Sequence, residues 1–291
     1  MSVSTIILNQ NNIVNLNNGN NQLVFKFPNS VRLSNHAIAV SSITMYYSWY
    51  NISTALQNNT FQYTWNGTTF TITLPNGTYN ISDINAFLQN QMINNNTYAI
   101  DASGNYVYYL EMKVNAVEYG IQLNSFEVPT SFPTGWTVPF TPPTTAFNPQ
   151  FIIPSAFNQI IGYTVGYTFP SAPTPAVGNV SAISSTAPEV QPNPVLFLTC
   201  SAIQNPYTIP SSIIYSISPN ANVGDQITFT PPQLIFNKIL EGTYDRLVLG
   251  WVGTNQQPIQ IIDPNMVITL EIRNTAQDLG QITNALLGTS K

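Results

Sequence analysis

The chain has 291 residues, of which 43% are hydrophobic and 7% are charged, and its formal net charge is −5. Folded domains usually carry about 25% charged residues, whereas disorder combines low hydrophobicity with high net charge. We therefore expect a folded chain with an unusually uncharged surface. The negative charge argues against nucleic acid as a direct partner, since phosphate binding needs clustered Lys and Arg. No apolar run of about 18 residues predicts a membrane span, and the N-terminus does not resemble a signal peptide.

The shortage of charge is the most informative feature of the composition. Lys and Arg total seven, and none lies between Lys113 and Lys238. A genome rich in A and T would raise the Lys content together with that of Asn, Ile and Tyr, so codon usage alone does not explain the low number of charged residues. Interface cores are depleted in charge and enriched in Tyr, Trp and Phe, and symmetry multiplies any like-charge clash. We favour a self-associating chain over the alternative of an ordinary soluble domain with unusual codon usage.

The first part of the chain reads as strands with one helix among them. QLVFKF (22–27) and HAIAVSSITMYYSWY (36–50) are rich in strand-forming residues, and Asn66-Gly67 predicts a hairpin between FQYTW and TTFTITL. Helical spacing then predicts an amphipathic helix over about 82–93, with Ser82 or Asp83 as its N-cap. The segments TYAID, YVYYLEMKV and VEYGIQL continue the strand pattern.

Proline dominates the middle of the chain. Fifteen of the 22 prolines lie between residues 129 and 210, and the only charge in that stretch is Glu189. Proline cannot donate to a central ladder, so regular sheet should be sparse there. The many large aromatic residues argue against a disordered linker. We expect a folded insertion of loops and turns, with a brief helix around 155–161.

Strand patterns return after the Pro-rich block. VLFLTC, SIIYSI, QITFT, RLVLGWV, PIQII and MVITLEI are all strand candidates. The end of the chain places Leu279, Ile282, Leu286 and Leu287 on one helical face, and such a helix needs a surface to dock on, in this subunit or a neighbour. The fold class that fits is all-β, a single jelly-roll antiparallel sandwich with a Pro-rich insertion and one or two short helices. The expected divisions are residues 1–128 with 206–275 for the jelly roll, 129–205 for the insertion, and 276–291 for a C-terminal, helical tail.

Catalytic and metal-binding residues are scarce. His36 is the only histidine and Cys200 the only cysteine, so a nucleophile with a base and an orienting group is hard to assemble. The only close glutamate pair is Glu111 and Glu118, whose odd spacing on a continuous strand would put them on opposite faces unless a turn at Asn115 intervenes. We predict no catalytic residue, no cofactor site and no metal site. The seven Asn-X-Ser/Thr sequons are read as chance matches in an Asn-rich chain: Asn51, Asn58, Asn66, Asn76, Asn80, Asn95 and Asn179.

Several blocks in the same order resemble the minor capsid (penton) proteins of virophages and Polinton-type viruses. They are ITMYYSWYNI, FQYTW, LPNGTYNISDINAFLQNQM, YYLEMKVNAVEYGIQL, FNQIIGYTVGY, NPYTIPSSIIYSI and IDPNMVITLEI, and they span most of residues 20–273. The Pro-rich middle matches poorly outside FNQIIGYTVGY.

The resemblance implies a structural virion protein without enzymatic activity. It implies a homopentamer at the fivefold vertices of an icosahedral capsid, in contact with a double-jelly-roll major capsid protein and with other minor virion proteins. Such a protein is made in the cytoplasm of the infected host cell. The aromatic residues at 46–50 and the strand around YVYYLEM are candidates for subunit contacts. Two alternatives remain, a glycan-binding spike or adhesin and a jelly-roll glycosidase that uses Glu111 and Glu118.

Overall fold

The computed structural model describes residues 3–15, 21–171, 178–191, 193–221, 224–254 and 256–276. The chain divides into two compact units. The sandwich unit comprises Met1–Trp49 and Asn193–Lys291, and the inserted unit comprises Tyr50–Pro192. These boundaries differ from those expected from the sequence, which placed residues 50–128 in the jelly roll and the start of the insertion at residue 129. The expected tail, 276–291, lies outside the described residues except for Ala276.

The described residues form antiparallel strands, two α-helices and a 3-10 turn at Gln10–Asn12. In chain order the strands are β1 (Val3–Leu8), β2 (Ile13–Asn15), β3 (Asn21–Leu33), β4 (His36–Tyr46), β5 (Thr60–Trp65), β6 (Thr68–Thr73), β7 (Tyr98–Ile100), β8 (Tyr106–Tyr108), β9 (Leu110–Asn115), β10 (Gly120–Ser125), β11 (Gln150–Ile153), β12 (Tyr167–Phe169), β13 (Val180–Ile183), β14 (Leu196–Cys200), β15 (Ile213–Ile217), β16 (Gln226–Phe229), β17 (Asn237–Lys238), β18 (Gly242–Val252) and β19 (Val267–Asn274). The helices are α1 (Ile81–Asn94) and α2 (Phe157–Ile161).

The strand order of the sandwich unit is that of a jelly roll. One sheet has the order β1-β19-β4-β16, with β17 also paired to β4, and the other has the order β15-β14-β18-β3-β2. A jelly roll has eight strands, B to I in chain order, arranged as B-I-D-G in one sheet and C-H-E-F in the other. Taking β1, β3, β4, β14, β15, β16, β18 and β19 as B to I reproduces both orders. The expected fold class is therefore confirmed, and the inserted unit lies between strands D and E.

The inward faces of the two sheets build the core of the sandwich unit. Strands β14 and β19 alternate buried and half-buried side chains, as strands with one face on a core do. Tyr47 and Trp49 follow β4 and stack with ring centroids 3.9 Å apart inside this core. The Trp251 indole N–H donates to the Met266 sulfur at 3.2 Å, which gives the buried ring a partner. Strand β1 was not anticipated from the sequence.

The inserted unit has a separate core. Its sheets have the orders β12-β11-β5-β6 and β13-β10-β9, and β7 pairs with β8. Helix α1 buries Ile81, Ile84, Leu88 and Met92 against this core. The helix was predicted correctly, but its N-cap is Asn80 rather than Ser82 or Asp83. The reason is a capping box, in which Asn80 Oδ1 accepts from the Asp83 N–H and the Asp83 carboxylate accepts from the Asn80 N–H, both at 2.9 Å.

Aromatic rings supply much of the core of the inserted unit. Phe61 stacks on Phe157 with centroids 4.7 Å apart, and Trp65 makes edge contacts with Tyr109, Phe140 and Phe147. Phe157 begins α2, so the brief helix expected around 155–161 is confirmed. The Pro-rich block therefore contributes packed aromatic residues, and its strands in the described residues span three to five residues each.

A buried asparagine joins the beginning of the inserted unit to its end. Asn51 is 1% exposed. Its Nδ2 donates to the carbonyls of Tyr79 and Val190, each at 2.7 Å, and its Oδ1 accepts from the Tyr79 N–H at 2.9 Å. Asn58 is also buried and donates to the Asn51 carbonyl. The side chains of these two sequon asparagines are thus buried in the folded chain.

Candidate assembly surfaces

The structure places the histidine and the cysteine in structural positions. His36 begins β4, and its Nδ1 lies 2.7 Å from the Ser34 carbonyl oxygen. Because a carbonyl can only accept, Nδ1 carries the proton in this contact. Cys200 is fully buried in β14, as expected, and burial raises the pKa of its thiol to about 11. A thiol with that pKa is protonated near neutral pH and packs as a small hydrophobe.

The glutamate pair of the glycosidase alternative is not brought together. Glu111 lies in β9, where its Oε2 accepts from Asn124 Nδ2 at 2.6 Å and faces Lys113 Nζ at 3.8 Å. Glu118 lies in the turn after β9, and its N–H donates to Asn115 Oδ1. The turn near Asn115 exists, but Glu111 is four residues back along the strand, about 13 Å at 3.3 Å per residue. Glycosidase carboxyl groups lie about 5–10 Å apart, so this hairpin does not present such a pair.

The described part of the chain offers neither a metal-ligand cluster nor a membrane-spanning helix. No group of three or more His, Cys, Asp or Glu side chains is placed there to hold a metal ion. Within the same residues, no helix combines the length and hydropathy that crossing a membrane requires.

The aromatic run at residues 46–50 is divided between core and surface. Tyr47 and Trp49 are buried, whereas Tyr46 is 42% exposed and Tyr50 is half-buried. The Tyr46 N–H donates to the Asp263 carboxylate at 2.7 Å, which fixes the backbone at this point. The alternation that the sequence predicted is present. It leaves Tyr46 as the ring of this run that is best placed to contact another molecule.

The segment YVYYLEM spans β8 and the start of β9. Its first tyrosines form a ladder of rings with Tyr98 on the β7–β8 hairpin. The rings of Tyr98 and Tyr106 have centroids 5.3 Å apart, and those of Tyr106 and Tyr108 are 6.2 Å apart and nearly parallel. Tyr106 is 50% exposed, whereas Tyr109, the next residue after the hairpin, is buried. Tyr and Trp rings offer a large contact area with few rotatable bonds, so the ladder is a candidate contact surface.

The tip of the β9–β10 hairpin carries the two most exposed large apolar side chains among the described residues of the inserted unit. Val114, Val117 and Tyr119 are 60%, 90% and 85% exposed, respectively. Tyr119 has φ of +52°, a left-handed conformation that is uncommon for a residue with a side chain. Val117 and Tyr119 expose apolar surface to solvent on a tight turn, and exposed apolar surface of this kind is typical of protein interfaces. We call these three residues the apolar tip.

The loops at one end of the sandwich unit carry further exposed apolar residues. Tyr207 and Ile209 lie between β14 and β15 and are 93% and 80% exposed. Ile235 and Leu240 lie between β16 and β18 and are 58% and 42% exposed. The Leu240 N–H donates to the Ala202 carbonyl at 2.9 Å, so the two loops adjoin. Sequence reasoning missed this surface, although large apolar residues among prolines in NPYTIP were a usable signal.

The inserted unit also contains an aromatic cavity of about 570 Å³. Its walls include Tyr108, Phe132 and Trp136, and its polar groups include Glu127 and Asn179. The Glu127 N–H donates to Asn179 Oδ1, and the Glu127 carboxylate accepts from the Gly178 N–H. Cavities with apolar walls and a few fixed polar groups are typical of small-ligand sites.

Comparisons with known proteins give structural likeness alone. No protein-family model matches the chain, and no curated protein matches it. The crystal structure of the mavirus penton protein is similar, with a TM-score of 0.42 and 10% identity over 93% of this chain and 97% of that chain. A chain of the Sputnik virophage, solved by cryo-EM, has a TM-score of 0.35 and 11% identity over 94% of this chain and 99% of that chain. The jelly-roll assignment rests on the strand order.

Proposed function

We propose that this chain is a structural virion protein, a penton subunit that assembles as a homopentamer at the fivefold vertices of an icosahedral capsid. The observation that carries the proposal is a jelly-roll sandwich that exposes large apolar side chains on its loops, in a chain with 7% charged residues. Large exposed apolar residues mark interaction sites. The ordered sequence blocks that resemble virophage and Polinton-type penton proteins support the same role. The proposal includes no catalytic activity.

The partners proposed are copies of this chain, a double-jelly-roll major capsid protein and other minor virion proteins. The chain would act in the virion after synthesis in the cytoplasm of the host cell. Besides Tyr46 and the tyrosine ladder, two surfaces are available for these contacts, the apolar tip and the loops that carry Tyr207 and Ile209. Both are apolar, and each is held by short-range hydrogen bonds, such as the Tyr207 N–H to Asn205 Oδ1 at 3.0 Å.

Mass photometry of the purified chain, alone and with the major capsid protein, tests the proposal. We expect pentamers of the chain, or pentamers that form once the major capsid protein is added. A monomer under both conditions would refute the vertex role.

A charge-matched pair of variants shows whether the exposed apolar residues carry the assembly. Val117→Asp combined with Ile209→Asp should shift pentamers to monomers without lowering the melting temperature, because both side chains are at least 80% exposed. Thr69→Asp combined with Ser30→Asp adds the same charge at exposed polar positions of the two units and should leave the pentamer intact. Equal loss of pentamers in both double variants would mean that charge alone, rather than these surfaces, controls assembly.

The aromatic cavity of the inserted unit supports a second function, glycan binding. Sugar rings stack on aromatic faces such as that of Trp136, and the Glu127 carboxylate and the Asn179 amide can hydrogen bond to hydroxyl groups. A glycan array probed with the full chain and with Trp136→Ala tests this function. Binding that the variant abolishes would support it, and an array without signal would exclude it for the glycans displayed.

A further inference from the structure

The edge of the sandwich unit contains a groove that the described residues do not fill, lined by six apolar and four polar residues. Strand β1 is the edge of one sheet, and β2 pairs with β3 only as far as Leu23, so the rest of β3 borders the opening. The groove has a volume of about 470 Å³ and is lined by residues that include Ile6, Phe25, Phe27, Val31 and Ile272. We call it the edge groove.

The phenylalanines of the edge groove point inward but remain partly exposed. Phe25 and Phe27 lie on the same face of β3 as Leu23, which is fully buried, and their rings meet edge to face at 5.2 Å. Both pack against the core of the sandwich unit, as does Val31. Inward-facing apolar residues of a sandwich are normally covered by the opposite sheet. The cover is therefore incomplete at this edge.

The last strand ends at the rim of the edge groove, and the two described residues that follow it are helical. Asn274, the final residue of β19, lines the groove. Thr275 is fixed by two hydrogen bonds to the Asn35 carbonyl, from its N–H at 2.7 Å and from its hydroxyl at 2.8 Å. The backbone at Thr275 and Ala276 is helical, and Asn274 Oδ1 accepts from the Ala276 N–H at 3.0 Å. That contact has the geometry of an N-cap.

The sequence after this cap fits an amphipathic helix of suitable length. Leu279, Ile282 and Leu286 recur at helical spacing, and Gly288 is of the residue type that most often follows a helix. A helix from Thr275 to Leu287 would have about 13 residues and be about 20 Å long. A helix this short is marginal alone in water and depends on docking its apolar face.

We propose that residues 277–291 of the same chain fold back as a helix and place Leu279, Ile282 and Leu286 in the edge groove. The occupant is the chain's own segment because its N-cap lies on the rim, and an attached segment binds at a high effective concentration. Its apolar side chains then cover Phe25, Phe27 and Val31 and complete the sandwich. The inference concerns the isolated subunit and does not depend on the proposed capsid role.

Crosslinking of paired cysteines tests the placement. Thr5 is exposed and lines the groove, and Thr283 borders the apolar face of the helix. The double variant Thr5→Cys and Thr283→Cys, treated with a short bismaleimide, should give an intrachain product at monomer mass. The control pair, Thr5→Cys and Asn284→Cys, places the second thiol on the polar face and should crosslink several-fold less. Native Cys200 is buried and should not react. Products of dimer mass, equal yields from the two pairs, or no product from either would each overturn the proposal.

Dye binding provides a second, independent test. The triple variant Leu279→Ser, Ile282→Ser and Leu286→Ser should uncover the groove and raise the fluorescence of the apolar dye ANS several-fold. The control, Gln277→Ser, Gln281→Ser and Asn284→Ser, changes the opposite face and should leave the fluorescence near that of the unmodified chain. Equal fluorescence of the two triple variants would refute the docking.

Discussion

Replacement of Asn51 is the sharpest test of how the inserted unit is closed. The Asn51 amide makes three hydrogen bonds that connect residue 51 to Tyr79 and to Val190, near the end of the unit. A buried hydrogen bond contributes about 1 kcal/mol net, and partners left unsatisfied cost more. We expect Asn51→Ala to lower the free energy of unfolding of the inserted unit by about 3 kcal/mol.

The isosteric variant Asn51→Asp separates hydrogen bonding from packing. An ionised carboxylate has the same shape but no donor, so it would face the carbonyl oxygens of Tyr79 and Val190 at the positions now 2.7 Å from Nδ2. Its destabilisation should therefore equal or exceed that of Asn51→Ala. The control is Asn94→Ala, which makes the same substitution at an exposed position of α1 and should cost under about 0.5 kcal/mol.

Hydrogen exchange during urea unfolding, followed by mass spectrometry of peptides, measures the two units separately. Peptides from the inserted unit should lose protection at a lower urea concentration in both Asn51 variants. Peptides from β18 and β19 report the sandwich unit in the same samples. An Asn51→Asp variant as stable as the unmodified chain would refute the reasoning, because it would show that the donors of Asn51 contribute nothing.

Three further predictions concern local features. Gly162 and Gly166 have φ of +73° and +71°, but a Cβ on Gly162 would lie 2.2 Å from the Thr186 carbonyl oxygen, whereas one on Gly166 would meet open space. Gly166→Ala should therefore cost about 1 kcal/mol of stability. Equal melting temperatures for Gly162→Ala and Gly166→Ala would contradict the packing at Gly162. Phe61→Ala should cost about 3–5 kcal/mol, because this fully buried ring stacks on Phe157, and a loss under about 1 kcal/mol in urea unfolding would be inconsistent with that burial. Because burial raises the pKa of Cys200 to about 11, maleimide labelling at pH 7.5 should follow unfolding, and rapid labelling of the folded chain would show that the thiol is accessible.

The local elements were largely predictable from sequence because their causes are local. Asn66-Gly67 predicts the β5–β6 turn, and both residues adopt the positive φ that a two-residue hairpin requires, +45° and +79°. Helical periodicity located α1 within one residue of each end. The alternation of large and polar residues predicted which face of a strand is buried. The all-β class and the jelly roll follow from such strands in sufficient number.

The division into two cores was decided by pairings between residues far apart in the chain. Strand β5 has the same alternating pattern as the sandwich strands, yet it pairs with β11, about 90 residues away, through contacts such as Phe151 with Tyr63. Alternation shows that one face is buried but does not show against which core. The boundary at residue 50 therefore could not be read from composition, which changes at residue 129 instead.

The low charge of the chain was visible in the sequence, whereas the positions of the apolar tip and the edge groove required the tertiary structure, because exposure depends on which neighbours the fold brings to each side chain.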